Sequence, residues 1–152
     1  MAARIISLKD IGKELGKKFV EHEKKEVIEA TYEACLRSVE PMKYRSPVDT
    51  GLYASAWEVK KTNQPGEVFF GNTAPYAGIV EYGARPFNAP IRPLEEWAAR
   101  KLRLPVTSPE VQNFAWAVKK KIQREGMEPK FILESGTNEV LLPMIRKEMD
   151  KL

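Results

Sequence analysis

His22 and Cys35 are the sole histidine and the sole cysteine of the chain, and their residue types could form a nucleophile and its base. Nucleophilic catalysis needs the base within hydrogen-bond reach of the nucleophile. The two residues lie 13 positions apart in residues 8–39, which are predicted to form one long helix or two stacked helices. At that spacing they point to nearly opposite sides and are about 20 Å apart along the helix axis. The spacing therefore excludes a dyad unless the helix breaks, and we expect His22 at the surface and Cys35 in the core.

Asp49 and Glu81 are the carboxylates that a glycoside hydrolase would pair as acid and base. Nothing in their spacing brings them together, and Asp49 is better explained as a turn or helix-capping acceptor. Residues 78–85 resemble a phosphate-binding loop, but Ala84 and Arg85 stand where Lys and Ser or Thr are required. A single histidine and a single cysteine exclude most Cys/His metal sites. We therefore expect no catalytic residue, no cofactor and no metal, and a protein that is not an enzyme.

The composition is that of one ordinary globular domain. The chain has 152 residues, of which 43% are apolar and 30% are charged. Its longest uncharged run, residues 68–80, is shorter than the roughly 20 residues that a membrane helix needs. The N-terminal residues show no apolar signal core, and one cysteine cannot form an internal disulfide. We therefore expect a reducing compartment rather than secretion.

The excess of basic over acidic residues is concentrated in one segment. Residues 97–125 hold seven Lys and Arg against two acidic residues, in a chain with a net charge of +4 and a pI of 9.1. Such a segment could meet phosphates or an acidic protein surface, although it is more often the solvated face of helices. The spacing of Trp57, Trp97 and Phe114 predicts core positions, whereas Trp116 falls off the apolar stripe of its helix. The candidate DNA-binding or partner-binding patch consists of Trp116, Lys119, Lys120, Lys121 and Arg124.

Hydrophobic periodicity predicts an α+β fold with a long N-terminal helix, a small antiparallel β-hairpin or sheet, a helical insertion and a C-terminal helix. The first helix is predicted to end at Pro41, and residues 41–51 are predicted to form a loop. Alternating side chains then predict a β-hairpin. Its strands cover residues 56–62 and 67–72, joined by a turn at 63–66. Residues 76–82 favour a short helix, with a strand as the competing interpretation.

Three further helices are predicted in the second half of the chain. One starts at Pro93, and the next runs from a Ser108 cap to Gly126. The last covers residues 140–152, where Pro143 either kinks the helix or marks its start. Residues 127–139 carry no clear pattern. We expect a single domain over residues 1–152, with residues 88–126 as a helical insertion within it.

Several motifs, in this order, resemble those of tailed-phage minor tail and tail-completion (neck) proteins. The run Ser46-Pro47-Val48-Asp49-Thr50-Gly51-Leu52, followed by Ser55-Ala56-Trp57, resembles the signature P-V-D-T-G-x-L-x-x-S. Gly71-Asn72, Pro75-Tyr76-Ala77 and Val80-Glu81-Tyr82-Gly83 resemble the segment YA-x-x-V-E-[FY]-G-T, with Ala84 in place of Thr. Pro129-Lys130-Phe131-Ile132-Leu133 is similar to the P-F-L element, which Lys130 interrupts. The helices between them resemble the insertion of longer members, among them relatives of minor tail protein Z of phage lambda.

This resemblance implies a structural virion protein at the head–tail junction, which completes the tail and joins it to the head connector. It implies a homo-oligomeric ring, a hexamer on assembly, that contacts the tail tube or terminator, the head connector and the passing DNA, with no membrane partner. The protein would be in the host cytoplasm before assembly and in the virion afterwards. The alternative is a small cytoplasmic nucleic-acid-binding protein that uses residues 97–125.

The resemblance also assigns a set of motif residues as fold-defining or subunit-contact positions, without separating the two roles. These are Pro47, Val48, Asp49, Thr50, Gly51, Trp57, Tyr76, Glu81, Tyr82 and Gly83.

Overall fold

A computed structural model describes residues 24–152 and the backbone of residues 2–7, and it confirms the α+β class. His22 and residues 8–23 of the predicted first helix lie outside the described residues. No helix in the described part of the chain combines the length and the apolar character needed to cross a membrane. The elements in chain order are β1 (Ala2–Ser7), α1 (Lys24–Arg45), α2 (Leu52–Ser55), β2 (Trp57–Lys61), β3 (Glu67–Asn72), α3 (Ala77–Tyr82), α4 (Ile91–Leu102), α5 (Pro109–Glu125), α6 (Ile132–Gly136), a π-helical turn (Thr137–Leu141) and α7 (Leu142–Met149).

The chain divides into two compact units. The first comprises Met1–Glu81 and Phe131–Leu152, and the second comprises Tyr82–Lys130. The segment predicted as a helical insertion lies within the second unit. Each unit has its own apolar cluster: α1, the sheet and the C-terminal helices surround the first, and α4 and α5 enclose the second.

The sheet of the first unit has three antiparallel strands in the order β1-β3-β2. The β2–β3 hairpin was predicted from its alternating pattern and is confirmed. The central strand β3 is buried from Val68 to Asn72, which explains its nearly continuous run of uncharged residues. Strand β1 pairs with the other side of β3, with Ala2 opposite Asn72 and Ser7 opposite Glu67. The sequence analysis assigned no strand there, because a single short segment carries little periodic signal.

Helix α1 runs through Pro41 to Arg45, so the prediction that Pro41 ends it is wrong, as is a loop starting at residue 41. A proline inside a helix removes one backbone hydrogen bond and crowds the preceding turn. Burial of the Met42 side chain compensates for that cost. Met42 is fully buried, and its side chain occupies the space where a Cβ on Gly136 would stand. Cys35 is also buried in α1, as predicted.

The C-terminal segment is helical from Ile132 to Met149 but changes its winding midway. The π-helical turn Thr137–Leu141 separates α6 from α7, and Pro143 lies in the first turn of α7. Proline has no N–H, so the first turn of a helix tolerates it where the interior does not. The prediction that Pro143 marks a helix start is therefore confirmed, and part of the unassigned segment 127–139 forms α6.

The second unit is a pair of helices joined by residues 103–108. Val111, Ala115 and Ala98 are fully buried, and the rings of Trp97 and Phe114 stack beside them with centroids 5.6 Å apart. Ser108 precedes Pro109 at the start of α5, and Gly126 ends it, as predicted. The strand-like bridge between Ala84 and Met127 closes the base of this unit with two backbone hydrogen bonds of 2.9 and 2.8 Å.

A buried carboxylate ties α1 to α7 and should make stability depend on pH. Glu148 contacts Arg37 of α1 at 2.8 Å and Lys151 at 2.7 Å. The hydrogen bond from Lys151 and the charge of Arg37 lower the pKa of Glu148 below its ordinary value of 4.5. Because the folded-state pKa is the lower one, the ion pairs stabilise the fold above about pH 4.5. This contribution is lost as the pH falls through the folded-state pKa.

We therefore expect Glu148→Gln to lower the urea midpoint of unfolding at pH 7, and the gap to wild type to close as the pH falls below 4.5. Urea titrations from about pH 7 to about pH 3 measure this. Glu139→Gln is the matched control, because Glu139 pairs with Arg45 in an exposed position. A gap that stays constant with pH would contradict the assignment to the Glu148 ion pairs.

Candidate functional site

The segment 46–57 is anchored from within by a serine and a tryptophan. Ser46 is buried; its Oγ–H donates to the Met42 carbonyl at 2.8 Å and its Oγ accepts the Trp57 indole N–H at 2.8 Å. Trp57 is buried and stacks on Phe70, with ring centroids 5.6 Å apart. These contacts join the end of α1 to the start of β2. The core position expected for Trp57 is therefore confirmed.

The tip of the same segment points outward. Val48 is 83% exposed, Asp49 and Thr50 are exposed, and Pro47 is half-buried. Gly51, rather than Asp49, is the N-cap residue of α2, and its φ of +79° is a conformation that favours glycine. A Cβ on Gly51 would meet nothing within 4 Å. The glycine is therefore required for the turn and not for space.

Tyr53 and Asn72 link α2 to the end of β3. The Asn72 side-chain amide donates to the Tyr53 carbonyl at 2.7 Å, and its oxygen accepts the Ala74 N–H at 3.0 Å. Tyr53 is buried and packs edge-on to Trp57. Burial, reinforced by the nearby Glu81 charge, raises the pKa of Tyr53 to about 12. The Tyr53 hydroxyl has no hydrogen-bond partner among the described side chains and backbone groups.

Glu81 caps a helix that is 50 residues further along the chain. Its side chain is buried in α3, and its two carboxylate oxygens accept the backbone N–H groups of Leu133 at 2.8 Å and Glu134 at 2.9 Å. Its own carbonyl accepts the N–H of Phe131 at 3.2 Å. The first N–H groups of a helix have no partner within the helix, and a carboxylate satisfies them and favours the positive end of the helix dipole. Glu81 therefore connects the end of α3 to the start of α6 within the first unit.

The remaining residues of this motif differ in exposure. Tyr76 lies beside Tyr53, with ring centroids 6.1 Å apart, and is 36% exposed. Tyr82 is 67% exposed. Gly83 has a φ of +72°, and a Cβ there would collide with the Met127 carbonyl and the Pro129 nitrogen. Gly83 is thus required both for its backbone conformation and for close approach to the return segment of its unit.

The basic patch lies on the outward side of α5. Trp116 is 49% exposed, in agreement with its predicted surface position, and the ammonium of Lys119 lies 5.2 Å from its ring centroid. Arg124 and Lys121 both approach Glu125, at 2.5 and 4.0 Å. Trp97 and Phe114 are half-buried between the helices, as their spacing predicted.

The structure thus distinguishes buried motif residues from exposed ones, which the sequence analysis had placed in one set. Trp57, Glu81 and Gly83 act inside the fold, whereas Val48 and Tyr82 are presented to solvent. Sequence reasoning missed Ser46, Tyr53 and Asn72 as anchors. Ser46 and Asn72 stood within the quoted motifs. Asn72 follows the apolar run Val68-Phe69-Phe70, which is a signal that could have identified it, whereas Ser46 lies among charged residues and carries no such signal. Among the described residues, no group of three His, Cys, Asp or Glu side chains is arranged to hold a metal ion.

We expect Glu81→Gln to lower the free energy of unfolding by about 2 kcal/mol, because one N–H loses a charged acceptor and faces an amide donor. Glu134→Gln is the matched control, since Glu134 begins the same helix but is exposed. Urea unfolding at neutral pH measures both variants. A loss for Glu81→Gln as small as that of the control would contradict the capping role.

Gly51→Ala and Gly83→Ala should differ in stability cost. Both force a non-glycine residue into the left-handed region, which costs about 1–2 kcal/mol. Gly83→Ala adds a backbone collision and should cost at least about 1 kcal/mol more. Equal losses in urea unfolding would contradict the close approach at Gly83.

One family model matches the chain. It is described as "Bacteriophage HK97-gp10, putative tail-component" and matches residues 7–83, just over half of the chain. The match supports a phage tail-type family and does not single out relatives of minor tail protein Z. No curated protein and no solved structure matches the chain.

Proposed function

Because the chain belongs to the HK97-gp10-like family of phage tail components, we propose that it acts at the head–tail junction. There it completes the tail and joins it to the head connector as a ring of identical subunits, a hexamer on assembly. The division of the 46–57 segment into buried anchors and an exposed tip carries this proposal. Such a division suits a surface that is held rigid for contact with a neighbouring protein.

The supported segment also presents apolar side chains to solvent, beside the exposed Asp49 and Thr50. Within nine residues, Tyr44 is 88% exposed, Val48 is 83% exposed and Leu52 is 51% exposed. Large apolar side chains left in solvent are typical of protein–protein contact surfaces. We assign the subunit contact to this segment, residues 44–52. A ring needs a heterologous contact, in which this segment meets a different surface of the next subunit.

The proposal includes no catalytic role. Both oxygens of Glu81 are engaged by backbone N–H groups. The Cys35 thiol is buried, and burial raises its pKa to about 12, so it stays protonated at neutral pH. The family is one of tail components, which favours this proposal over a cytoplasmic nucleic-acid-binding protein. By the same reasoning, the protein would be in the virion after assembly and would contact the tail tube or terminator and the head connector.

Quantitative mass spectrometry of purified phage particles tests the junction role. A low and fixed copy number that matches one ring per particle is expected. Absence from intact particles would overturn the proposal. A copy number as high as that of a tail-tube subunit would overturn the junction position while leaving a tail role.

We expect Val48→Asp to reduce incorporation into particles at least tenfold while leaving the fold intact, because a charge would be buried at the subunit contact. Val106→Asp is the matched control, since Val106 is also an exposed loop valine, 41% exposed, but lies in the second unit. Particle mass spectrometry and thermal unfolding measure the two effects. Full incorporation of Val48→Asp would remove the assigned contact.

A further inference from the structure

The net positive charge of the chain comes from the second unit. Residues 82–130 hold ten Lys and Arg and five Asp and Glu, a net charge of +5. The rest of the chain holds fifteen and sixteen, a net charge of −1. A local excess of one sign creates a potential that attracts the opposite charge. The second unit is therefore the part of the molecule suited to an anionic partner.

Helix α5 presents this charge on one face. Val111, Ala115 and Ile122 form its buried stripe. Trp116, Lys120 and Arg124 follow one another at intervals of four residues on the opposite side, where side chains at i and i+4 share a face. This face, with Lys119 beside it, is called the α5 cationic face below. It faces solvent and has an aromatic ring among its charges.

The charges of the α5 cationic face are only partly neutralised within the chain. Glu125 pairs with Arg124 and lies near Lys121. In the described part of the chain, no acidic side chain pairs with Lys119 or Lys120. Lys119 instead lies over the Trp116 ring, which fixes an ammonium group next to an exposed aromatic surface. Lys120 and Trp116 thus lie on the face, with the ammonium group of Lys119 held at its edge.

We propose that the α5 cationic face binds the phosphodiester backbone of duplex DNA without sequence preference. Lys120 and Arg124 are about 6 Å apart along the helix axis. This is close to the rise of two nucleotides on one strand, about 3.4 Å each. The two side chains can therefore reach phosphates two nucleotides apart on one strand, Arg124 while it also contacts Glu125. Trp116 lies one turn before Lys120 and can pack against a sugar further along the same strand. This inference rests for its biological context on the proposed function, because DNA passes through the head–tail junction.

A second copy of the chain fits the face less well than DNA does. The acidic residues on the outer side of α1 are the obvious complement within the chain. Two of them are already paired, Glu29 with Lys61 and Glu40 with Lys43, each at 2.6 Å. DNA presents a continuous row of unpaired phosphates, so charge complementarity favours the nucleic acid.

Fluorescence anisotropy with a short labelled duplex of mixed sequence tests the proposal on the full chain. With about three phosphate contacts, from Lys119, Lys120 and Arg124, affinity should fall roughly 40-fold between about 50 and 200 mM salt. The double variant Lys119→Gln/Lys120→Gln should reduce the slope of log affinity against log salt by about 2. Lys25→Gln/Lys60→Gln is the matched control, since it removes two exposed lysines of the first unit, and it should leave the slope unchanged.

Intrinsic fluorescence gives an independent readout of the same face. Trp57 is buried and Trp97 is half-buried, so Trp116 should supply the change in emission when duplex DNA is added. Trp116→Phe should abolish that change. The same variants examined by sedimentation velocity report whether the face serves self-association instead.

Each outcome bears on the inference separately from the proposed function. Absent or salt-independent binding overturns the inference, as does equal loss in the control variant. Self-association lost in Lys119→Gln/Lys120→Gln, with no binding to DNA, assigns the face to a second copy and also overturns it. A protein that binds DNA as expected but is absent from particles contradicts the proposed function alone.

Discussion

The first unit depends on the contact between the Glu81 carboxylate and the start of α6. This charge is buried, so it must be satisfied by hydrogen-bond donors, and the two backbone N–H groups of Leu133 and Glu134 supply them. Helix α6 begins after Phe131, whose backbone is in the left-handed conformation and whose side chain does not cap the helix. The cap comes instead from Glu81, in another part of the chain. Without the carboxylate, the N–H groups of Leu133 and Glu134 would lose their acceptors; without those N–H groups, the buried carboxylate would lose its donors. The contact therefore fixes the C-terminal helices on the rest of the unit.

The same contact explains how the chain can leave this unit and return. Glu81 is the last residue of the first segment of the unit and Phe131 is the first residue of the second. The N–H of Phe131 donates to the carbonyl of Glu81, so the points of departure and return are adjacent. The second unit closes its own base with the Ala84–Met127 bridge. A segment whose two ends are held together in this way can fold around its own core without stretching the first unit.

The sequence predicted the elements that have a local signal and missed the contacts between distant residues. The hairpin, the α5 boundaries and the exposed Trp116 followed from alternation, capping residues and helical spacing, and all are confirmed. Pro41 was misjudged because burial of Met42 overrides a local breaker. Strand β1 is defined by its pairing with β3. Six residues are too few for the alternation of apolar and polar side chains to predict a strand. The Glu81 carboxylate caps Leu133 and Glu134, which lie 52 and 53 positions further along the chain, and no spacing rule predicts such a contact.

The two candidate surfaces are supported by different apolar clusters. The segment 44–52 rests on Ser46, Trp57 and the core of the first unit. The α5 cationic face rests on Ala98, Val111 and Ala115 in the second. The family match ends at residue 83, next to the first residue of the second unit, so the matched portion includes the apolar segment and excludes the cationic face. Family membership therefore supports only the contact through segment 44–52, whereas the charges and geometry of α5 support the binding of DNA.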